Sequence, residues 1–265
     1  HTPFGHIGER ILNKISKENL EYCFAHNLNS VRILKSIENN GKGCNLSLQV
    51  LDGIMCHNGE MVNQKYFPMK KTEEIFWEEY TKCLNDEEYI KKIRPMTLEG
   101  CVVRISDIIG YIGKDIEDAV RLKKFDVSTI PNDIKEKLGV TNHDIMNSII
   151  LDIIDQSYMK PYIQLSEEMY ELVIKLKKFN FENIYLKANN KYELEKYEKM
   201  FNDLFSVYIT AINNNDLSND IYTSFLNNMS DEYKKERKEQ QAIDFISGMT
   251  DHFMIKQYNK YVENK

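Results

Sequence analysis

Within nine residues, His1-Thr-Pro-Phe-Gly-His6-Ile-Gly-Glu9, the chain gathers two of its six histidines and a carboxylate around a Pro-Phe-Gly bend. An imidazole beside a carboxylate can move protons near neutral pH, because the carboxylate fixes the ring tautomer and stabilises the imidazolium. The helical run that follows, Glu9-Arg-Ile-Leu-Asn, predicts that His6 and Glu9 point inward from a first helical turn, within reach of one another. A third imidazole, His26, stands in Phe24-Ala-His-Asn-Leu-Asn-Ser30, with polar neighbours on an otherwise apolar segment, so its ring is expected to face a polar cavity. His143 and His252 read as structural residues. His57 falls at a predicted helix end, where an imidazolium is favoured for structural reasons alone.

A second group with chemical potential lies on a predicted helix from Leu98 to Lys124. Arg104, Asp107, Tyr111, Asp115 and Asp118 share one face at about 100° per residue, and Ile105, Ile108, Ile109, Ile112 and Ile116 occupy the other. The polar stripe admits two readings, a solvated face or a ligand-facing one. Gly110 and Gly113 favour the second, since each costs about 1 kcal/mol in a helix interior and usually admits another backbone or a ligand. Carboxylates with imidazoles suit divalent cations, and phosphate hydrolysis uses such an ion to polarise the phosphoryl oxygens. His6, His26 and Asp107 are chemically suited to that work. No G-x-S-x-G elbow, phosphate-binding Gly-rich loop or dinucleotide fingerprint occurs, and the five cysteines form no CxxC pair, which points to reduced thiols.

The elements that must position these residues are helices. Lys, Glu, Leu, Ile and Met are abundant while Gly and Pro number only 11 and 5, so the expected fold class is all-α. Periodicity predicts helices over about 17–40, 46–57, 98–124, 142–156, 166–178, 192–214 and 231 to the end, the last broken at Gly248, and a further one from Thr72 carrying Trp77. Residues 1–130 are expected to form a core and 131–265 a C-terminal helical lobe packed on it, in one contiguous domain. A formal net charge of −6 argues against a nucleic-acid coat or a polybasic membrane anchor. No run approaches the roughly 18 apolar residues of a membrane span, and no signal peptide is visible, so a cytoplasmic location is expected.

Five stretches together resemble the deoxynucleoside triphosphate triphosphohydrolases, the dGTPase-like branch of the HD-domain metal-dependent phosphohydrolases. His1-Thr-Pro-Phe-Gly-His6-Ile-Gly-Glu9 is similar to the second half of that family's H-D-[IL]-G-H-x-P-F-G-H-x-G-E signature. Phe24-Ala-His26 through Ser30-Val-Arg32 is similar to its F-x-H-N-x-x-S-x-R helix, and Asn45-Leu-Ser through Leu51-Asp-Gly-Ile to His57 to its N-L-T…L-[ED]-G-I…H element. Thr97-Leu-Glu99 through Asp107, Tyr111, Asp115 and Asp118 resembles the family's long helix, and Ala242-Ile-Asp-Phe-Ile-Ser-Gly248-Met-Thr-Asp251 its D-[YF]-[IV]-[AS]-G-M-T-D tail.

The resemblance implies an all-α HD-domain helical fold and hydrolysis of a dNTP to deoxynucleoside and triphosphate, with water attacking the α-phosphorus. It implies a divalent metal of the Mg, Mn, Fe, Co or Ni class, held in the family by an upstream His, a His-Asp pair and an Asp that here is Asp107. It implies a phosphate contact for His1, the general acid/base or transition-state group for His6 backed by Glu9 and for His26, and sugar or phosphate contacts for Tyr111 and Asp115. A dNTP substrate, a nucleotide activator and a homo-oligomer are the implied partners. This sequence has Lys114 where the family usually has His, and His252 where it often has Arg. The upstream His and the His-Asp pair do not occur in it, so the chain is expected to be an incomplete, weakly active or inactive piece. Two other readings stand beside this one: another HD phosphohydrolase acting on nucleotides, and a catalytically dead nucleotide-binding module.

Overall fold

Helix-favouring composition resolves, in a computed structural model that describes residues 2–58, 62–123, 125–185 and 191–263, into an all-α chain. The main helices are α1 (His6–Leu20), α2 (His26–Arg32), α3 (Leu48–Met55), α4 (Glu73–Asn85), α5 (Leu98–Arg121) and α6 (Asn132–Leu138). They continue with α7 (Asn142–Ser157), α8 (Glu167–Asn180), α9 (Lys191–Asn213), α10 (Asp220–Ser224), α11 (Lys238–Ser247) and α12 (Asp251–Tyr258). The described strands are two residues long, Lys65–Tyr66 paired antiparallel with Ile163–Gln164.

Two compact units divide the chain, and they interleave in sequence rather than parting near residue 130. One gathers residues 1–47, 78–89 and 190–265; the other gathers 48–77 and 90–189. In the first, an apolar core forms where Leu12 and Ile15 of α1 meet Phe201, Leu204 and Tyr208 of α9 and Ile243 and Ile246 of α11, all fully buried or nearly so. In the second, the isoleucine face of α5 supplies Ile105, Ile108, Ile109, Ile112 and Ile116 to a core completed by Ile134, Leu138, Ile145, Ile149 and Leu176. The periodicity that predicted α5 is thus the face it buries.

The expected helix over 17–40 is broken. Glu21 adopts a left-handed conformation, φ 65°, and ends α1. The break is held by specific hydrogen bonds: Ser16 Oγ donates to the Tyr22 carbonyl, Cys23 N–H donates to the Leu84 carbonyl, and Phe24 N–H donates to Asn13 Oδ1. These bonds satisfy backbone groups that would otherwise be stranded at a buried turn. As a result His26 is not mid-helix on an apolar stripe. It is the first residue of a new helix.

The C-terminal part shows the same correction on a smaller scale. The stretch expected as one helix from 231 starts as a short turn, forms α11, breaks at Gly248 as anticipated, and resumes as α12 under a Thr250 cap.

Candidate active site

The bend before α1 places the first residues. Phe4 and Gly5 both take positive φ, 58° and 57°. Thr2 Oγ1 donates to the Gly5 carbonyl, and Gly5 N–H returns a bond to the Thr2 carbonyl. Phe4 is clamped by stacking on Tyr197 with ring centroids 4.0 Å apart, and its N–H donates to Asp251 Oδ1 at 2.8 Å. Gly8 is required for a different reason: a Cβ there would lie 1.9 Å from the Pro3 carbonyl oxygen and 2.8 Å from Phe201 Cζ. The Pro-Phe-Gly-His-Ile-Gly spacing is therefore a device that folds the chain back over the first turn of α1.

That turn presents His6 and Glu9 on one side. His6 Nδ1 bonds Glu9 Oε2 at 2.9 Å, and His26 Nδ1 bonds Glu9 Oε1 at 2.8 Å. The two rings meet edge to face, 5.8 Å between centroids. A carboxylate only accepts, so Nδ1 is the protonated nitrogen of each ring in these bonds. The His6 side chain is 72% exposed, whereas those of Glu9 and His26 are 15% and 13% exposed.

Glu9 has a further role that follows from the start of α2. The residue before the helix, Ala25, has no side chain that can cap, and the first N–H groups of any helix lack partners within it. Glu9 Oε1 accepts the His26 N–H at 2.6 Å and so caps α2 from another helix. Burial pushes its carboxyl pKa up, but the hydrogen bonds from His26 and His6, the His26 charge and the His26 N–H outweigh burial and hold it well below the usual carboxylate range.

The frame behind α2 is ionic. Arg32, at its last position, forks onto the buried Asp244 of α11, with Nε 2.9 Å from Oδ1 and Nη2 2.7 Å from Oδ2. Tyr233 Oη donates to the same carboxylate at 2.7 Å and Gln240 Nε2 at 2.6 Å. Arg32, Asp244 and Asp251 stood in the sequence motifs without a role. The signal that could have assigned Asp244 is a charge enclosed by apolar neighbours, Ala242-Ile-Asp-Phe-Ile246, which has to be paired when buried.

Asp107, Tyr111 and Asp115 belong to the other unit. Asp107 is exposed on α5. Asp115 accepts a hydrogen bond from Tyr185 Oη, whose own pKa is pushed up by burial and by this carboxylate. Tyr111 is half-buried with Lys177 Nζ 6.0 Å from its ring centre. The expected shared face is incomplete, because Arg104 is buried and its Nη1 donates to the Ile93 carbonyl. Of the two glycines, Gly113 is explained by the close approach of Asn142, while Gly110 faces open space. His57 Nδ1 lies 2.6 Å from the Ile54 carbonyl, a bond to the last turn of α3, and His143 is 87% exposed beside Asp144. His1 lies outside the described residues. None of Cys23, Cys44, Cys56, Cys83 and Cys101 is in a disulfide.

One group of three or more histidine, cysteine or acidic donors close enough to share a metal ion occurs among the described residues, His6 with Glu9 and His26. Asp107 is not part of such a group. The donors present therefore do not fit the four-ligand metal site implied by the family resemblance, of which this chain carries one carboxylate.

Fold and motifs define an all-α protein of the HD type, and comparison with known proteins agrees. Residues 163–260 match the phosphohydrolase-associated domain. A deoxyguanosinetriphosphate triphosphohydrolase-like protein of Caldanaerobacter subterraneus is 31% identical over 260 residues, covering 98% of this chain and 63% of the relative. Similarly named proteins of Clostridium tetani and Rickettsia prowazekii are 31% and 26% identical, each over 98% of this chain and over 64% and 72% of their own lengths. Over nearly all of its length the chain is similar to deoxyguanosinetriphosphate triphosphohydrolase-like proteins. It spans less than two thirds of the length of the Caldanaerobacter and Clostridium relatives. Among the described residues no helix is long and apolar enough to cross a membrane.

Proposed function

We propose that this chain carries the proton-transfer part of a dNTP triphosphohydrolase, in which His6, oriented by Glu9, serves as general acid/base. The observation that carries the reading is the single carboxylate bridging two imidazoles, with the exposed ring being the one that can reach a substrate. Cleavage at the α-phosphorus breaks the bond to the 5′ oxygen, and that alkoxide leaves only if it is protonated. With Nδ1 of His6 held by Glu9, Nε2 is the nitrogen that delivers the proton, and the low pKa of Glu9 keeps the dyad charged so that an imidazolium is stabilised. His26 holds the second oxygen of Glu9, which fixes the carboxylate plane and leaves the His26 ring placed to stabilise negative charge on the phosphates.

Tyr111 and Asp115 enter as sugar- or phosphate-facing groups, and Asp107 as one donor to a divalent metal. A lone carboxylate does not hold a catalytic cation, so the metal's other donors would have to come from outside this sequence, and no step here is routed through it. The deoxyguanosinetriphosphate in the relatives' names supports a nucleotide substrate.

The test is release of inorganic triphosphate from dNTPs by this chain and by a form extended upstream, each with Mg(II) or Mn(II). The extended form should release triphosphate and lose at least about 100-fold in kcat on His6→Ala, the scale of a general acid/base. Release of pyrophosphate or monophosphate would instead mark a different HD phosphohydrolase. Nucleotide binding without turnover by the extended form would mark a non-catalytic module.

A further inference from the structure

The same three side chains that hold a proton can hold a metal ion. One ring nitrogen of His6, one of His26 and a Glu9 carboxylate oxygen all lie within 4.8 Å of one another. Donors around a tetrahedral zinc, with bonds of about 2.0–2.1 Å, stand about 3.3 Å apart. Both Glu9–imidazole contacts, at 2.9 and 2.8 Å, must open slightly to reach that spacing, most freely at His6, the exposed member. Two imidazoles and one carboxylate form a borderline donor set that selects Zn(II), Ni(II) or Cu(II) over Mg(II), which prefers an all-oxygen shell. The exposure of His6 leaves a fourth position open to water.

The geometry points to a transition-metal site, of the zinc class, formed by His6, Glu9 and His26, which competes with proton transfer by engaging the same two imidazoles and carboxylate. Asp107 belongs to the other unit and is not among its donors. Each ring ligates as a neutral imidazole through one nitrogen and keeps its proton on the other, so the cation replaces the hydrogen bonds to Glu9 rather than any covalent bond. The inference does not rest on the hydrolase reading, since it is tested without nucleotide.

Calorimetric titration of this chain with zinc chloride should show one equivalent bound. Co(II) in its place should give the intense visible absorption of a low-coordinate ion, and magnesium chloride should give no isotherm. His6→Ala, a change at an exposed side chain that leaves the core intact, should weaken zinc at least tenfold, as should His26→Ala. The variant lacking His57, His143 and His252 together should bind as the parent does. Unchanged affinity in His6→Ala, or loss in the triple variant or in His1→Ala in its place, overturns the proposal.

Discussion

Replacing Arg32 by Met tests the frame that holds the start of α2, and with it His26, in place. The substitution keeps the aliphatic length of the side chain but removes both members of its fork onto Asp244, at 2.9 and 2.7 Å, leaving a fully buried carboxylate without its cation. Breaking a buried ion pair from one side costs about 3–5 kcal/mol. The remaining bonds from Tyr233 and Gln240 still solvate Asp244 and place the expected loss near the lower end, about 3 kcal/mol. Against a total stability of roughly 5–15 kcal/mol, that is a large fraction, worth roughly 6–12 °C in Tm at about 2–4 °C per kcal/mol for a chain of this size. Arg32→Lys should lose less, about 1–2 kcal/mol, since a single ammonium replaces one arm of the fork but not both. Adding Asp244→Asn to Arg32→Met removes the stranded charge and should recover about 1–2 kcal/mol. Urea unfolding followed by circular dichroism measures all four proteins. A loss below about 1 kcal/mol in Arg32→Met, or a double variant less stable than the single, would refute the argument that the pair is a buried, mutually dependent frame.

Glu9 gives a pH dependence of definite sign. Its folded pKa lies below the ordinary 4.5, so its stabilisation is present above that value and is lost as pH falls below it; the stability gap between parent and Glu9→Gln should narrow through that acid range and stay constant above it. Gly8→Ala drives a Cβ onto the Pro3 carbonyl and should cost about 3 kcal/mol or more, seen as a lowered urea midpoint. On α5, Gly110→Ala should stabilise by up to about 1 kcal/mol because the added methyl meets nothing. Gly113→Ala should destabilise by about 1–3 kcal/mol because it meets Asn142. If a ligand uses the face around Asp107, Gly110→Ala should also raise KM without lowering Tm; an unchanged KM would make that face a solvated one.

Much of the architecture was legible in order and type. The isoleucine spacing of α5 reports a buried face directly, because a 3.6-residue period has one geometric solution. The closeness of His6 and Glu9 was equally legible, since three residues apart on a helix are neighbours. His26 is expected on a continuous helix, whereas it starts a new one and bonds Glu9. Its true position depends on Glu21 taking a left-handed conformation, a choice stabilised by Asn13 and by the Leu84 carbonyl sixty residues away. Local periodicity carries no information about such partners.

What the sequence by itself determined was the all-α class, the local His6–Glu9 pair and the order of motifs, because these follow from backbone period and near-neighbour spacing. Only the tertiary structure decided that Glu9 serves two histidines and caps a helix, that Arg32 answers Asp244 across 212 positions, that Phe4 leans on Asp251, and that Arg104 is buried rather than displayed. Each of these pairs a charge or an unsatisfied N–H with a partner remote in sequence, and the cost of burying such a group alone is what the fold had to meet.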